Sequence, residues 1–217
     1  MATAILHSYF RSSTSYRARI ALNLKGVSYQ IVSHHLRKKE HQAPEYLAVN
    51  PQGLVPALVL PGKPVLTQSL AIIEYLDETI PEPPFLPKSP EDRARVRALA
   101  QMIAIEIHPL NNLRVLRALR HRFGADEEVI GDWFRDWVVE TFGPLEEMLA
   151  SDPRTGRFCH GDTPGLADIC LVPQVANNAR YDIDMAPYRT IRRINDACMA
   201  LEAFQQAAPA RQPDAEA

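Results

Sequence analysis

The sequence predicts an α/β domain followed by an all-helical one, on three observations. Within residues 5–78, β-rich runs and an amphipathic helix alternate, then close on a hairpin and a second helix. The proline-rich run from Pro81 to Pro90 follows as a stiff linker. Beyond it, the apolar patterns have helical spacing. The expected boundaries are therefore 1–82 for the first domain, 83–90 for the linker and 91–217 for the second.

Each element has its own signal. Ile5 to Phe10 is apolar and reads as a strand. Ser15 to Lys25 reads as a helix, with Ala18, Ala21, Leu22 and Leu24 in its pattern and Gly26 at the C′ position. Arg17 and Arg19 read as solvated or paired surface charges. Tyr29 to His34 alternates and gives a second strand, so the first three elements have the size of a parallel β-α-β crossover. A loop with a short helix near Pro44 to Ala48 comes next. Ala57–Leu60 and Val65–Leu66 flank the turn Pro61-Gly62-Lys63 and form a hairpin. Ser69 starts a helix carrying Ile72, Ile73, Tyr75 and Leu76.

In the second half, Val96, Leu99, Ala100, Ile103, Ala104 and Ile107 make one stripe. Pro109 breaks it, and Leu110, Leu113, Leu116 and Leu119 continue to Gly124. Val129 to Leu149 is helical, with core aromatics and a kink point at Gly143-Pro144. Gly165 to Asp168 opens a further helix as a capping box that has lost its hydroxyl half. A last helical stretch runs from Tyr188 to Ala207, and the tail after Ala208 reads as loosely ordered.

Composition narrows the class of function. A net charge of −2 gives no field to attract nucleic acid or an anionic membrane. No apolar run has the length of a membrane span, and the first residues do not read as a signal peptide. Cysteines stand at 159, 170 and 198, an odd count with no C-x-x-C pair. That argues against a disulfide framework, a metal site or a dithiol centre, and fits a reducing cytoplasm.

Three stretches carry candidate chemistry. Arg11-Ser12-Ser13-Thr14-Ser15 lies between the first strand and the first helix. Its hydroxyls can cap the helix, and the helix start can also hold an anion. Asn50 to Ala57 contains Pro56 just ahead of a strand. Either the Val55–Pro56 bond is cis and leaves Val55 backbone groups to pair with an extended ligand, or Pro56 is an ordinary trans proline. Leu66-Thr67-Gln68-Ser69 offers a capping hydroxyl and a helix N-terminus that suits a carboxylate.

Together these residues resemble zeta-class glutathione transferases, above all their maleylacetoacetate and maleylpyruvate isomerase members. The likeness rests on Ser12 to Leu22, Asn50 to Pro56 and Gln68 to Leu76. It continues through His108 to Asn112, Gly161 to Pro164, Leu171 to Val175 and Arg211 to Asp214. It implies a thioredoxin-like N-terminal domain plus an all-α C-terminal domain (the glutathione transferase fold), a homodimer, and glutathione as cofactor.

Under that resemblance Ser12, Ser13, Thr14 and Arg11 are the catalytic set. Val55 and a cis Pro56, Gln68 and Ser69, and His41 and Gln52 bind the cofactor. Arg11, His108, Asn112, Arg114 and Arg180 bind a small dicarboxylate substrate. The implied activity is conversion of maleylacetoacetate to fumarylacetoacetate in aromatic catabolism, with maleylpyruvate isomerisation, or transferase or dehalogenase action on small α-halo acids, as alternatives. A non-catalytic glutathione-binding protein is the reading from another class; it expects an eroded hydroxyl turn, which this chain does not have. The chain departs from the family at one place, with Thr14 where cysteine is common.

Overall fold

The computed structural model describes residues 3–216, which divide into two compact units. One comprises the chain up to Phe85 together with the residues from Ala200 onward; the other is Leu86–Met199.

The first unit is built on β1 (Ala4–Ser8), α1 (Ser13–Leu24), β2 (Tyr29–Ser33), α2 (Pro44–Leu47), β3 (Ala57–Val59), β4 (Leu66–Thr67) and α3 (Ser69–Thr79). The four strands form one sheet in the order β2-β1-β3-β4. β1 and β2 are parallel, with Ala4 opposite Tyr29, as the crossover reading requires. β3 runs antiparallel to β1 and pairs with β4 as a hairpin, Ala57 facing Thr67. Alternation sets the register of β1: Ala4, Leu6 and Ser8 are buried while Ile5 and His7 are half-buried.

α1 begins earlier than the apolar pattern suggests. Ser12 is its N-cap and accepts from the Ser15 N–H. Gly26, with φ +65, follows the last turn, where an L side chain would be strained. Arg17 and Arg19 are not surface charges, being 1% and 0% exposed. α1 packs against α3 and a helix from the end of the chain, so little of its circumference remains for solvent. At the far end of the unit, the Lys25 ammonium reaches Asp77 at 2.9 Å and the Pro83 carbonyl, and lies 4.0 Å over the Phe85 ring. Ser69 does not cap α3: it is the first helical residue, and the cap position Gln68 makes no side-chain capping bond.

The second unit holds α4 (Pro90–Gln101), α5 (Leu113–Phe123), α6 (Glu127–Ser151), α7 (Leu166–Asn178) and α8 (Arg189–Met199). Ser89 caps α4 and Pro90 takes its first position, which needs no N–H. After Gln101 the backbone widens into a π-helical turn, Met102–Ile107, before Pro109 ends the run. Gly124, in the left-handed region, stops α5. α6 passes through Pro144 without interruption. Asp168 supplies the surviving half of the α7 cap: Oδ2 accepts from Gly165 N–H and Oδ1 from Cys159 N–H, both at 2.9 Å.

The expected last helix is two. Leu201 is extended, and α9 (Glu202–Ala207) belongs to the first unit, packed on α1. The tail is also ordered where it was expected to be loose. Gln212 donates to the Gln206 and Ala208 carbonyls, and Asp214 reaches Phe10 and Ser33.

Candidate functional site

The first unit brings most of its sequence-predicted residues to one end of the sheet, where β1 and β4 finish and β3 begins. The β1–α1 turn is short because Ser12 N–H bonds back to the Tyr9 carbonyl. It presents Arg11, half-buried, beside Ser12 and Ser13, both buried, and Thr14, half-buried. Thr14 Oγ1 donates to the Val55 carbonyl at 2.9 Å. That spends its one proton, so in the 2.9 Å contact between Ser12 Oγ and Thr14 Oγ1 the donor is Ser12. Ser15 N–H in turn donates to Ser12 Oγ. A directed chain therefore runs from the helix N-terminus through two hydroxyls to a carbonyl, and each bond polarises the next.

The Val55–Pro56 bond is cis. The loop before it is shaped by Asn50, whose side chain donates to the Leu54 carbonyl at 2.7 Å and accepts from Gln52 N–H. Tyr46 donates to the same carbonyl, and burial pushes its phenol up to about 12, so it stays a donor through the neutral range. Gly53 has φ +59, and a Cβ there would sit 3.1 Å from the His41 carbonyl. This close approach seats the buried His41 directly behind the loop. Gln52 and Gln68 meet on the exposed side, Gln68 Nε2 donating to Gln52 Oε1 at 2.9 Å. Gln68 has φ +67, a left-handed value that glutamine rarely adopts.

The start of α3 is built for an anion. It carries no side-chain cap and no acidic residue in its first turn, so its leading N–H groups are unopposed. The first turn of α1 also lacks acidic residues. These two helix starts, with the amides of Gln52 and Gln68, fit a ligand bearing a carboxylate and a thiol. The protein's own cysteines do not offer a nucleophile: all three are buried and outside any disulfide, and burial raises the Cys159 and Cys198 thiols well above their ordinary range. Among the described residues no cluster of three or more His, Cys, Asp or Glu could hold a metal ion.

The second unit places the remaining predicted residues. Asn112 caps α5, its Oδ1 accepting from Arg114 N–H at 2.9 Å and Val115 N–H at 3.3 Å. What it has left for a ligand is its amide N–H₂. Arg114 is exposed in the first turn of α5. His108 is half-buried at the end of the π-helical turn. Arg180 is exposed in the short turn after α7, its Nη1 3.4 Å from Asn177 Oδ1.

Sequence reading missed two features of the first unit. Tyr46 supports the Leu54 carbonyl, a role invisible without the loop's geometry. Asp214 lies within the ending quoted for the resemblance, so its signal was present, but the surrounding prolines argued for disorder.

Comparison with known proteins gives the family. Residues 11–79 match the family described as glutathione S-transferase, N-terminal domain. A maleylpyruvate isomerase from Ralstonia is 51% identical over 96% of this chain and 98% of its own length. A holo structure of a maleylpyruvate isomerase, described as a bacterial glutathione S-transferase of the zeta class, superposes with a TM-score of 0.95. It is 50% identical and covers 98% of this chain and 100% of that one. A maleylacetoacetate isomerase from Methylobacterium extorquens, solved with malonate and glutathione, also has a TM-score of 0.95, at 42% identity with 98% and 100% covered. The chain therefore belongs to the zeta-class glutathione transferases, within the group that contains the maleylacetoacetate and maleylpyruvate isomerases.

Proposed function

We propose that the chain is a glutathione-dependent cis–trans isomerase acting on maleylacetoacetate. The observation that carries this reading is the pairing of two anion-ready helix starts with a hydroxyl chain in a unit that has no cysteine of its own. When bound, glutathione supplies a thiolate that adds reversibly to the conjugated double bond, so that the bond can rotate.

The residues divide the remaining work. The start of α3, with Ser69, Gln68 and Gln52, holds the glutamyl carboxylate. Val55 and Pro56 border the cysteinyl part, with His41 behind the loop toward the glycyl end. Ser12 keeps its oxygen fixed by Ser15 N–H while its proton turns from Thr14 to the sulfur. Ser13 and the positive end of α1 add to the same stabilisation of the thiolate. Arg11, Arg114 and Arg180, with His108 and Asn112, bind the substrate carboxylates and the charge that moves onto its ketone oxygens, because guanidinium matches carboxylate geometry.

The identity to the Ralstonia relative supports maleylpyruvate as a second substrate. A homodimer and a cytoplasmic location complete the proposal. The first follows from the family resemblance and is read by sedimentation. The second is supported by three cysteines that form no disulfide, which suits a reducing compartment. Among the described residues no helix is long and apolar enough to cross a membrane. The test is turnover of maleylacetoacetate and of maleylpyruvate with and without glutathione. Turnover that needs glutathione supports the proposal; glutathione-independent turnover, or none with either substrate, sinks it.

A further inference from the structure

The tail of the chain carries a carboxylate back to the thiol turn. Asp214 Oδ2 accepts from Phe10 N–H at 3.0 Å and from the Ser33 hydroxyl at 2.5 Å. Its Oδ1 is buried and takes no hydrogen bond. A carboxylate oxygen left in that state is costly unless a nearby positive charge offsets it. Arg19 provides the charge. Fully buried, it donates from Nη2 to the Phe10 carbonyl at 3.2 Å and from Nη1 to the Tyr9 carbonyl and Ser8 Oγ. Burial lowers its pKa to about 10, and the attraction of Tyr29 and then of Asp214 opposes that fall.

Phe10 is therefore held at its N–H by a carboxylate and at its carbonyl by a guanidinium. The next two residues are Arg11 and Ser12. A backbone fixed by charge-assisted bonds on both sides cannot slide without losing one of them. A misplacement of about 1 Å in a catalytic turn costs up to about a hundredfold in rate.

We propose that Asp214 is a positioning residue for the thiol turn, acting with Arg19 on the backbone of Phe10 to set how Arg11 and Ser12 are presented. The proposal rests on the isomerase reading of that turn and adds the chain's end to its machinery.

The experiment compares Asp214→Ala and Asp214→Asn in the full chain. The amide oxygen of Asn can take both bonds now made by Oδ2 but gives up the charge that faces Arg19, so it serves as a partial rescue. Asp214→Ala lowers kcat by about tenfold and changes the KM for glutathione by less than about twofold, while Asp214→Asn returns kcat to within about threefold of wild type. In Asp214→Ala, amide exchange over Phe10–Thr14 speeds up, and the thiolate absorbance of bound glutathione appears at higher pH.

Wild-type kcat with wild-type thiolate ionisation in Asp214→Ala overturns the proposal. So does an Asp214→Asn variant as impaired as Asp214→Ala, or a kcat loss that only tracks the unfolded fraction. If the wild type isomerises neither substrate, the isomerase reading fails by itself. Amide exchange and the ionisation of bound glutathione in the two variants then still decide whether Asp214 positions the turn.

Discussion

The Thr14 hydroxyl donates to the Val55 carbonyl at 2.9 Å, tying the first turn of α1 to the residue before Pro56. A cysteine at this position would replace an O–H donor with a weak S–H one. Thr14 thus gives up thiol chemistry and gains a stronger tie between the two edges of the site.

Removing that tie has a measurable signature. Thr14→Val leaves the Val55 carbonyl without its donor and Ser12 without its acceptor, at a stability cost of about 1–3 kcal/mol. The KM for glutathione rises in this variant. Thr14→Ser keeps both bonds and lies within about 0.5 kcal/mol of wild type. Denaturant unfolding with steady-state kinetics checks the series; equal stability of the Val and Ser variants would refute it.

Gln68 pairs a functional side chain with a backbone that disfavours it. Such a conformation costs about 1–3 kcal/mol, whereas glycine adopts it freely at an entropic cost of about 0.5–1 kcal/mol. Gln68→Gly therefore melts no lower than wild type, while its KM for glutathione rises at least about threefold through loss of one or two hydrogen bonds. Gln68→Ala keeps the strain and loses the amide, so it is the less stable of the two. A thermal scan of both variants decides the order.

His7 and His34 form a pH-sensitive pair. Nδ1 of His7 lies 2.8 Å from Nε2 of His34, so one ring must donate and the other accept. Burial lowers both below the ordinary histidine value of 6.5, and for His34 the neighbouring His7 adds to the effect. The folded chain then binds fewer protons here than the unfolded chain, and stability rises with pH where that is so. Stability contributed by the neutral pair is present above pH 6.5 and declines as pH falls below it. Urea midpoints at about pH 7.5 and about pH 5.5 measure the drop, and His34→Gln reduces it. A midpoint that rises on acidification contradicts the sign.

The α7 cap leaves room for improvement. Gly165 is extended, with φ −130, a conformation open to any residue. Gly165→Ser restores the hydroxyl half of the capping box and stabilises the protein by a few tenths of a kcal/mol to about 1 kcal/mol. Asp168→Ala, by contrast, abandons the Gly165 and Cys159 N–H groups and costs at least about 2 kcal/mol. Urea unfolding of the two variants tests both figures.

Legibility in the sequence followed the range of the forces involved. The crossover, the hairpin and the stop at Gly124 are local patterns and were readable from spacing and turn chemistry. The cis bond at Pro56 needed the family resemblance, because no local pattern decides between cis and trans, and the pairing of Gln52 with Gln68 had no signal in the sequence. Arg17 and Arg19 could not be placed from a helix pattern. Arg19 is held by the Ala207 carbonyl of α9, 188 residues downstream, and by the Phe10 carbonyl, partners that carry no sequence signature. The tail misled for a related reason: prolines signal disorder locally, while Asp214 is held by Phe10 and Ser33, far away in sequence.

The order in which the chain is made gives the Arg19–Ala207 bond another meaning. Nε of Arg19 donates to a carbonyl 188 residues downstream, and α1 packs against α9. A ribosome releases the sheet and the thiol turn before the second unit, yet the segment that covers the buried guanidinium emerges only after that unit. Domains generally fold as units in order of synthesis. Here the unit that starts first is completed only after the second has been made, so glutathione cannot meet a fully set site before then. A protein cut short by a premature stop after Met199 would keep every residue of the proposed catalytic set and still leave Arg19 without its Ala207 partner.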